Sequence, residues 1–166
     1  MSDLLAATWN INSIRARLER LVNWLDRHGP DVVCLQETKC TDDQFPFDEL
    51  REVGYHAVVH GQPTYNGVAI LTREPIDRAD LGLPGDASDM QARFIAARAG
   101  GIRFVNVYVP NGKAVGTDKY DYKLAWLARL EQWMAEATAD DEPLVLCGDF
   151  NIAPSDEDAA LSLIHI

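Results

Sequence analysis

Four apolar stretches of the chain each run into a residue able to hold a cation or a phosphate. They are Trp9-Asn10, Leu35-Gln36-Glu37, Val107-Tyr108 and Cys147-Gly148-Asp149, with Asn151 two positions further on. Asn10, Glu37, Asp149 and Asn151 present hard oxygen atoms, and the set contains neither thiolate nor imidazole. Magnesium suits such donors because it keeps several waters and accepts one or two carboxylates beside substrate phosphate oxygens. Zinc favours sulfur and nitrogen and fits less well. A strand often ends in a polar residue, so each position alone reads first as ordinary structure. The four together point to metal-assisted chemistry on a phosphate.

The elements that must position these residues follow from periodicity. Leu4-Leu5-Ala6-Ala7-Thr8-Trp9 reads as a buried strand, and Ile14, Leu18, Leu21, Val22 and Leu25 then recur at helical spacing until His28-Gly29-Pro30. Residues 31–36 form a second apolar strand, so strand, helix and strand with short connections predict neighbouring parallel strands. Residues 47–53 predict one or two helical turns, and strands follow at 55–60 and 68–72 around a loop at 62–67. Residues 91–98 and 102–109 flank Ala99-Gly100-Gly101, which predicts an antiparallel hairpin. Between Asp118 and Ala139, the residues Trp126, Leu127, Leu130, Trp133 and Met134 give a wide apolar helical face, and a last strand covers 144–147. The fold class is therefore α/β with mixed sheets, in which sites gather beyond the carboxyl ends of parallel strands.

A chain of 166 residues that is 47% hydrophobic can bury the core of one domain. Its net charge of −11 argues against a simple nucleic-acid binder, although carboxylates that hold a cation contribute to that charge. Cys34, Cys40 and Cys147 are odd in number and lack a CxxC spacing, which predicts free thiols. No basic leader or long apolar run appears, so the expected location is the cytoplasm, with no membrane partner. Trp24, Trp126 and Trp133 read as core. Arg93, Lys113, Lys119 and Tyr65 read first as solvated surface and second as the lining of a phosphate groove.

Five segments in order resemble the exonuclease III family of DNA repair nucleases, within the endonuclease/exonuclease/phosphatase superfamily: residues 9–15, 35–39, 65–70, 106–112 and 148–154. The resemblance implies a mixed-sheet α/β sandwich and a Mg2+-dependent phosphodiesterase, with Mn2+ as a substitute ion. The implied substrate is double-stranded DNA with abasic sites or 3′ ends. Asn10, Glu37, Asp149 and Asn151 would be the metal ligands. Asp149 would also orient and deprotonate the attacking water, Asn151 would bond the phosphorane, and Tyr108 would contact the phosphate or the leaving oxygen. Asn111 and Lys39 would touch substrate.

Relatives in that family continue beyond the Gly148-Asp149-Phe150-Asn151 segment, so residues 1–160 are expected to be the N-terminal portion of one domain and 161–166 an atypical tail. With the second half of the sandwich largely missing, one sheet face is expected to lack its cover, and a normally monomeric fold would tend to self-associate. Two other readings stay open: a superfamily phosphatase or phosphodiesterase acting on a non-DNA substrate, and an inactive metal- or DNA-binding fragment.

Overall fold

The structure, a computed structural model, describes residues 3–139, 142–153 and 155; the atypical tail expected at 161–166 lies outside them. Among the described residues, eight strands divide equally between two four-stranded sheets. The first holds β1 (Ala6–Asn10), β2 (Val32–Gln36), β3 (His56–His60) and β4 (Val68–Thr72), in the order β1-β2-β4-β3. The second holds β5 (Ala79–Leu81), β6 (Phe94–Ala99), β7 (Ile102–Tyr108) and β8 (Leu144–Asp149), in chain order. β1 and β2 are parallel, as are β7 and β8, and the remaining pairs are antiparallel.

The helices cover the outer faces. α1 (Leu18–His28) and α2 (Phe47–Glu52) lie against the first sheet, and α3 (Asp118–Ala137) lies against the second. α1 stops where sequence places its stop, at Gly29, whose φ of 57° suits glycine and whose N–H reaches Leu25 O at 2.9 Å. α3 begins at Thr117, whose Oγ1 accepts from Tyr120 N at 3.3 Å.

Strand alternation explains why β2 and β4 are buried along their whole length and apolar up to their last residues, Gln36 and Thr72. Val33, Leu35, Ala69 and Leu71 face the helices with Leu21, Leu25 and Leu50. Their neighbours Val32, Cys34, Val68 and Ile70 face the other sheet and meet Ile95, Ala97 and Phe104. On the far side Phe94, Ala96, Val105 and Val107 pack on Trp126 and Leu130 of α3. A strand covered on both faces has no solvent side, so a polar alternation has nowhere to point.

Two expectations change. The uncovered sheet face narrows to the edges: β2 and β4 meet β6 and β7 across the buried interior, while the inward-facing Ala6 and Thr8 of β1 and Val145 of β8 remain exposed. β5 escapes periodicity analysis: three residues are too few to display an alternation. Boundaries also move, with β1 beginning at Ala6 rather than Leu4, β6 at Phe94 rather than Gln91, and β8 continuing through Asp149. Cys34 and Cys40 are buried and Cys147 is partly exposed, and all three are free thiols.

Candidate active site

Parity along the strands decides which polar residues meet. On β7, Val105 and Val107 point to α3, so Asn106 and Tyr108 point between the sheets. The same alternation turns Cys147 and Asp149 of β8 inward, together with Asn10 of β1 and Gln36 of β2. Parallel pairing then aligns the strand ends, Asn10 opposite Gln36 and Tyr108 opposite Asp149. The predicted gathering at one edge of the sheets is thus built by register.

The centre of the cluster is the side-chain amide of Asn10. Its Nδ2 donates to Glu37 Oε1 at 2.8 Å and to Asp149 Oδ2 at 2.7 Å, joining one sheet to the other. Its Oδ1 accepts from Asn12 N at 3.1 Å. Tyr108 donates its hydroxyl to Glu37 Oε1 at 2.9 Å. Lys39 pairs with Glu37 Oε2 at 2.7 Å and reaches Asn12 Oδ1 at 2.5 Å. Asn151 sits on the opposite flank, where its N–H bonds Asp149 Oδ1 at 2.9 Å and its Nδ2 bonds Val109 O at 2.9 Å. Asn111 completes that flank through a 3.3 Å contact from Nδ2 to Asn151 Oδ1. Asn10, Glu37, Tyr108 and Asp149 therefore meet directly, with Lys39, Asn151 and Asn111 in contact with them or with one another.

Charge and burial set the protonation of the central pair. Burial alone would raise the Glu37 carboxyl, but hydrogen bonds from Asn10, Lys39 and Tyr108 and the charge of Lys39 outweigh it and hold the group below its usual range. Tyr108 is pushed up to about 12, by burial first and then by its bond to the Glu37 carboxylate and that charge. Tyr108 is accordingly a neutral donor at physiological pH.

Below this edge lies a buried polar pair that the sequence reading left without a role. Asn106 is fully buried, and its Nδ2 donates to Leu35 O at 2.8 Å and Ala69 O at 2.9 Å, while its Oδ1 accepts from Gln36 Nε2 at 2.7 Å. The side chain pins the second sheet to β2 and β4 directly beneath Glu37 and Tyr108. An asparagine in the middle of the apolar run 102–109 was the available sign. Arg93 also departs from the surface reading: its guanidinium lies 4.7 Å over the Tyr108 ring and its Nη1 donates to Tyr108 O at 3.1 Å. Tyr65, Lys113 and Lys119 are exposed.

The loops leaving the strands carry unusual backbone. Asn12, Ser13, Glu37, Lys39 and Asn151 all have φ between 46° and 82°. Left-handed geometry at a non-glycine residue costs of order 1–3 kcal/mol, and it concentrates where the surrounding bonds hold it in place. Here it concentrates around Asn10 and the two carboxylates.

Matched against known families, residues 7–165 align with the Endonuclease/Exonuclease/phosphatase family. The chain belongs to that family. Among curated relatives, exodeoxyribonuclease III of Haemophilus influenzae is 35% identical over 159 residues, which is 93% of this chain and 60% of the relative. The solved structure of the Neisseria 3′ phosphatase NExo bound to a product DNA hairpin superposes with a TM-score of 0.89 at 42% identity, over 93% of this chain and 60% of that one. An AP endonuclease from Archaeoglobus fulgidus gives 0.88 at 40% identity, with the same coverage. The chain thus spans about 60% of the length of these members of the Endonuclease/Exonuclease/phosphatase family. The resemblance to the exonuclease III family and the α/β sandwich it implied are both borne out. No helix among the described residues is long and apolar enough to cross a membrane.

Proposed function

We propose that this chain carries the metal-dependent phosphodiesterase site of a DNA repair nuclease of the exonuclease III type, acting on duplex DNA at abasic sites or 3′ ends. The observation that carries the reading is the Asn10 amide, which holds the Glu37 and Asp149 carboxylates at 2.8 and 2.7 Å while Tyr108 bonds the same Glu37 oxygen. Two carboxylates drawn to one amide make an oxygen-rich, negatively charged spot, and the donor set fits a hard divalent ion such as Mg2+, or Mn2+ in its place. Asn10 and Glu37 would hold the ion, with Asp149 and Asn151 beside it. Once bound, it would neutralise charge on the phosphate and help stabilise the departing 3′ oxygen.

The remaining work falls to side chains. Asp149, held on both oxygens by Asn10 Nδ2 and Asn151 N, is fixed to orient a water and accept its proton. Tyr108, kept protonated, would turn its hydroxyl from Glu37 toward a phosphate oxygen or the leaving oxygen. Asn151 and Asn111 offer amide donors to the phosphate, and Lys39 offers an ammonium. A second reading, removal of a 3′ phosphate, is favoured by the name of the Neisseria neighbour.

The test is incision of a duplex bearing one abasic analogue, run beside a 3′-phosphate end and an inositol phosphate, with Mg2+ or with chelator, and with Asp149→Ala as control. Metal-dependent incision lost in the variant supports the nuclease. Release of phosphate alone moves the assignment to the second reading. Turnover confined to the inositol phosphate refutes a DNA substrate.

A further inference from the structure

The three buried positions of α3 are Lys123, Trp126 and Leu130, so a lysine occupies the helix's apolar stripe. Lys123 is only 9% exposed. Its Nζ donates to Asn151 O at 2.7 Å and lies 3.4 Å from Phe150 O. Among the described residues it forms no ion pair. Burial lowers its pKa and the charge of Asp149 acts in the opposite direction. An ammonium placed here costs desolvation that an apolar residue would avoid, and a helix packing only for stability favours leucine or methionine.

The lysine stem also runs against the other loop of the site. A Cβ added at Gly112 would stand 3.1 Å from Lys123 Cδ and 3.2 Å from Tyr120 Cδ2, so glycine is what lets the 109–112 loop close on α3. The two loops already meet at Val109, whose N–H donates to Asp149 O and whose carbonyl accepts from Asn151 Nδ2, both at 2.9 Å; further along the loop the contact from Asn111 to Asn151 is 3.3 Å, and Asn151 itself has φ 49°. Lys123 touches both.

We propose that Lys123 is a positioning residue: its ammonium grips the Phe150 and Asn151 carbonyls while its stem fills the space beside Gly112, locking the Asp149–Asn151 turn to the Asn111 loop. The turn in turn aims the Asp149 carboxylate at Asn10 and presents the Asn151 and Asn111 amides on one side of the site. The contribution to turnover rests on the nuclease reading; the contribution to geometry does not.

The test compares Lys123→Met, Lys123→Arg and, as a destabilised control on the same helix, Leu130→Ala. In folded Lys123→Met the side-chain amide resonances of Asn111 and Asn151 should move, and the Asn151 amide should exchange at least about 10-fold faster, because its bond to Asp149 is no longer held. Incision should lose about 10-fold or more in kcat with KM changed less than about 3-fold, as expected when reacting groups are misplaced. Lys123→Arg, which still donates to carbonyls, should recover a good part of both, and Leu130→Ala should alter neither. Should Lys123→Met fail to fold, Lys123→Gln is read in its place by the same criteria. Unmoved asparagine resonances and wild-type exchange in the folded variant overturn the proposal, as does an equal change in Leu130→Ala. Moved resonances in a chain whose wild type incises nothing would uphold the positioning role and refute the nuclease.

Discussion

Removing the Asn106 side chain should separate the two sheets energetically before it touches any site residue. Three buried hydrogen bonds end on it, at 2.8, 2.9 and 2.7 Å. At about 1 kcal/mol each, Asn106→Ala should cost about 3 kcal/mol, a large share of a typical domain's stability. Asn106→Asp supplies the sharper comparison, since it nearly preserves volume. Its carboxylate can accept from Gln36 Nε2 but meets the Leu35 and Ala69 carbonyls with no proton to give. Burial and those carbonyls raise the pKa of the new carboxyl in the folded state, so stability is retained below the unfolded value of about 3.9 and falls as pH rises above it. Urea unfolding followed by tryptophan fluorescence, to which the buried Trp126 contributes, at pH 4 and pH 7, reads both effects. A loss below about 1 kcal/mol in Asn106→Ala with an unchanged m-value, or an Asn106→Asp variant no more pH-sensitive than wild type, would refute the pinning role.

Three further outcomes follow from the site. Ultraviolet titration, read as the difference from Tyr108→Phe because Tyr122 is also pushed up to about 12, should find Tyr108 ionising at about 12. Glu37→Gln should lower that value by removing the carboxylate that adds to the effect of burial; an unchanged value in the variant disconnects the two groups. Glu37 has a depressed pKa, so its bonds contribute stability above the ordinary value of 4.5 and lose it as pH falls through the folded value; Glu37→Gln should flatten that acid limb in thermal melts. Gly148 has φ 141°, and an added Cβ would collide with the Val107 backbone, so Gly148→Ala should break the pairing of β8 with β7, lower the melting temperature and abolish the proposed metal-dependent turnover. Wild-type melting of Gly148→Ala would show that the strand can shift to make room.

Much of the fold was legible because covered strands announce themselves. The runs 32–35 and 68–71 are apolar on both faces, which is the chemistry of a strand between a helix layer and a second sheet. α1 was bounded by its own spacing and by Gly29. β5 stayed hidden because its pairing with β6, rather than any pattern in Ala79–Leu81, makes it a strand. The sheet membership of each strand was hidden too, since alternation records that a face is buried and not what buries it.

For the site, sequence by itself determined the chemistry on offer: oxygen donors at strand ends, in an order that resembles one family of nucleases. Which of them touch was decided by tertiary structure alone. Asn10 and Asp149 stand 139 positions apart, and only parallel register within each sheet, plus the packing of one sheet on the other, brings them to 2.7 Å. Lys123 shows the same limit from the other direction. Its position three residues before Trp126 and seven before Leu130 placed it on the buried stripe, but a stripe does not name its partner. The carbonyls of Phe150 and Asn151 became that partner because the chain leaving β8 lies beside Lys123 of α3, a distance set by packing and invisible to any local pattern.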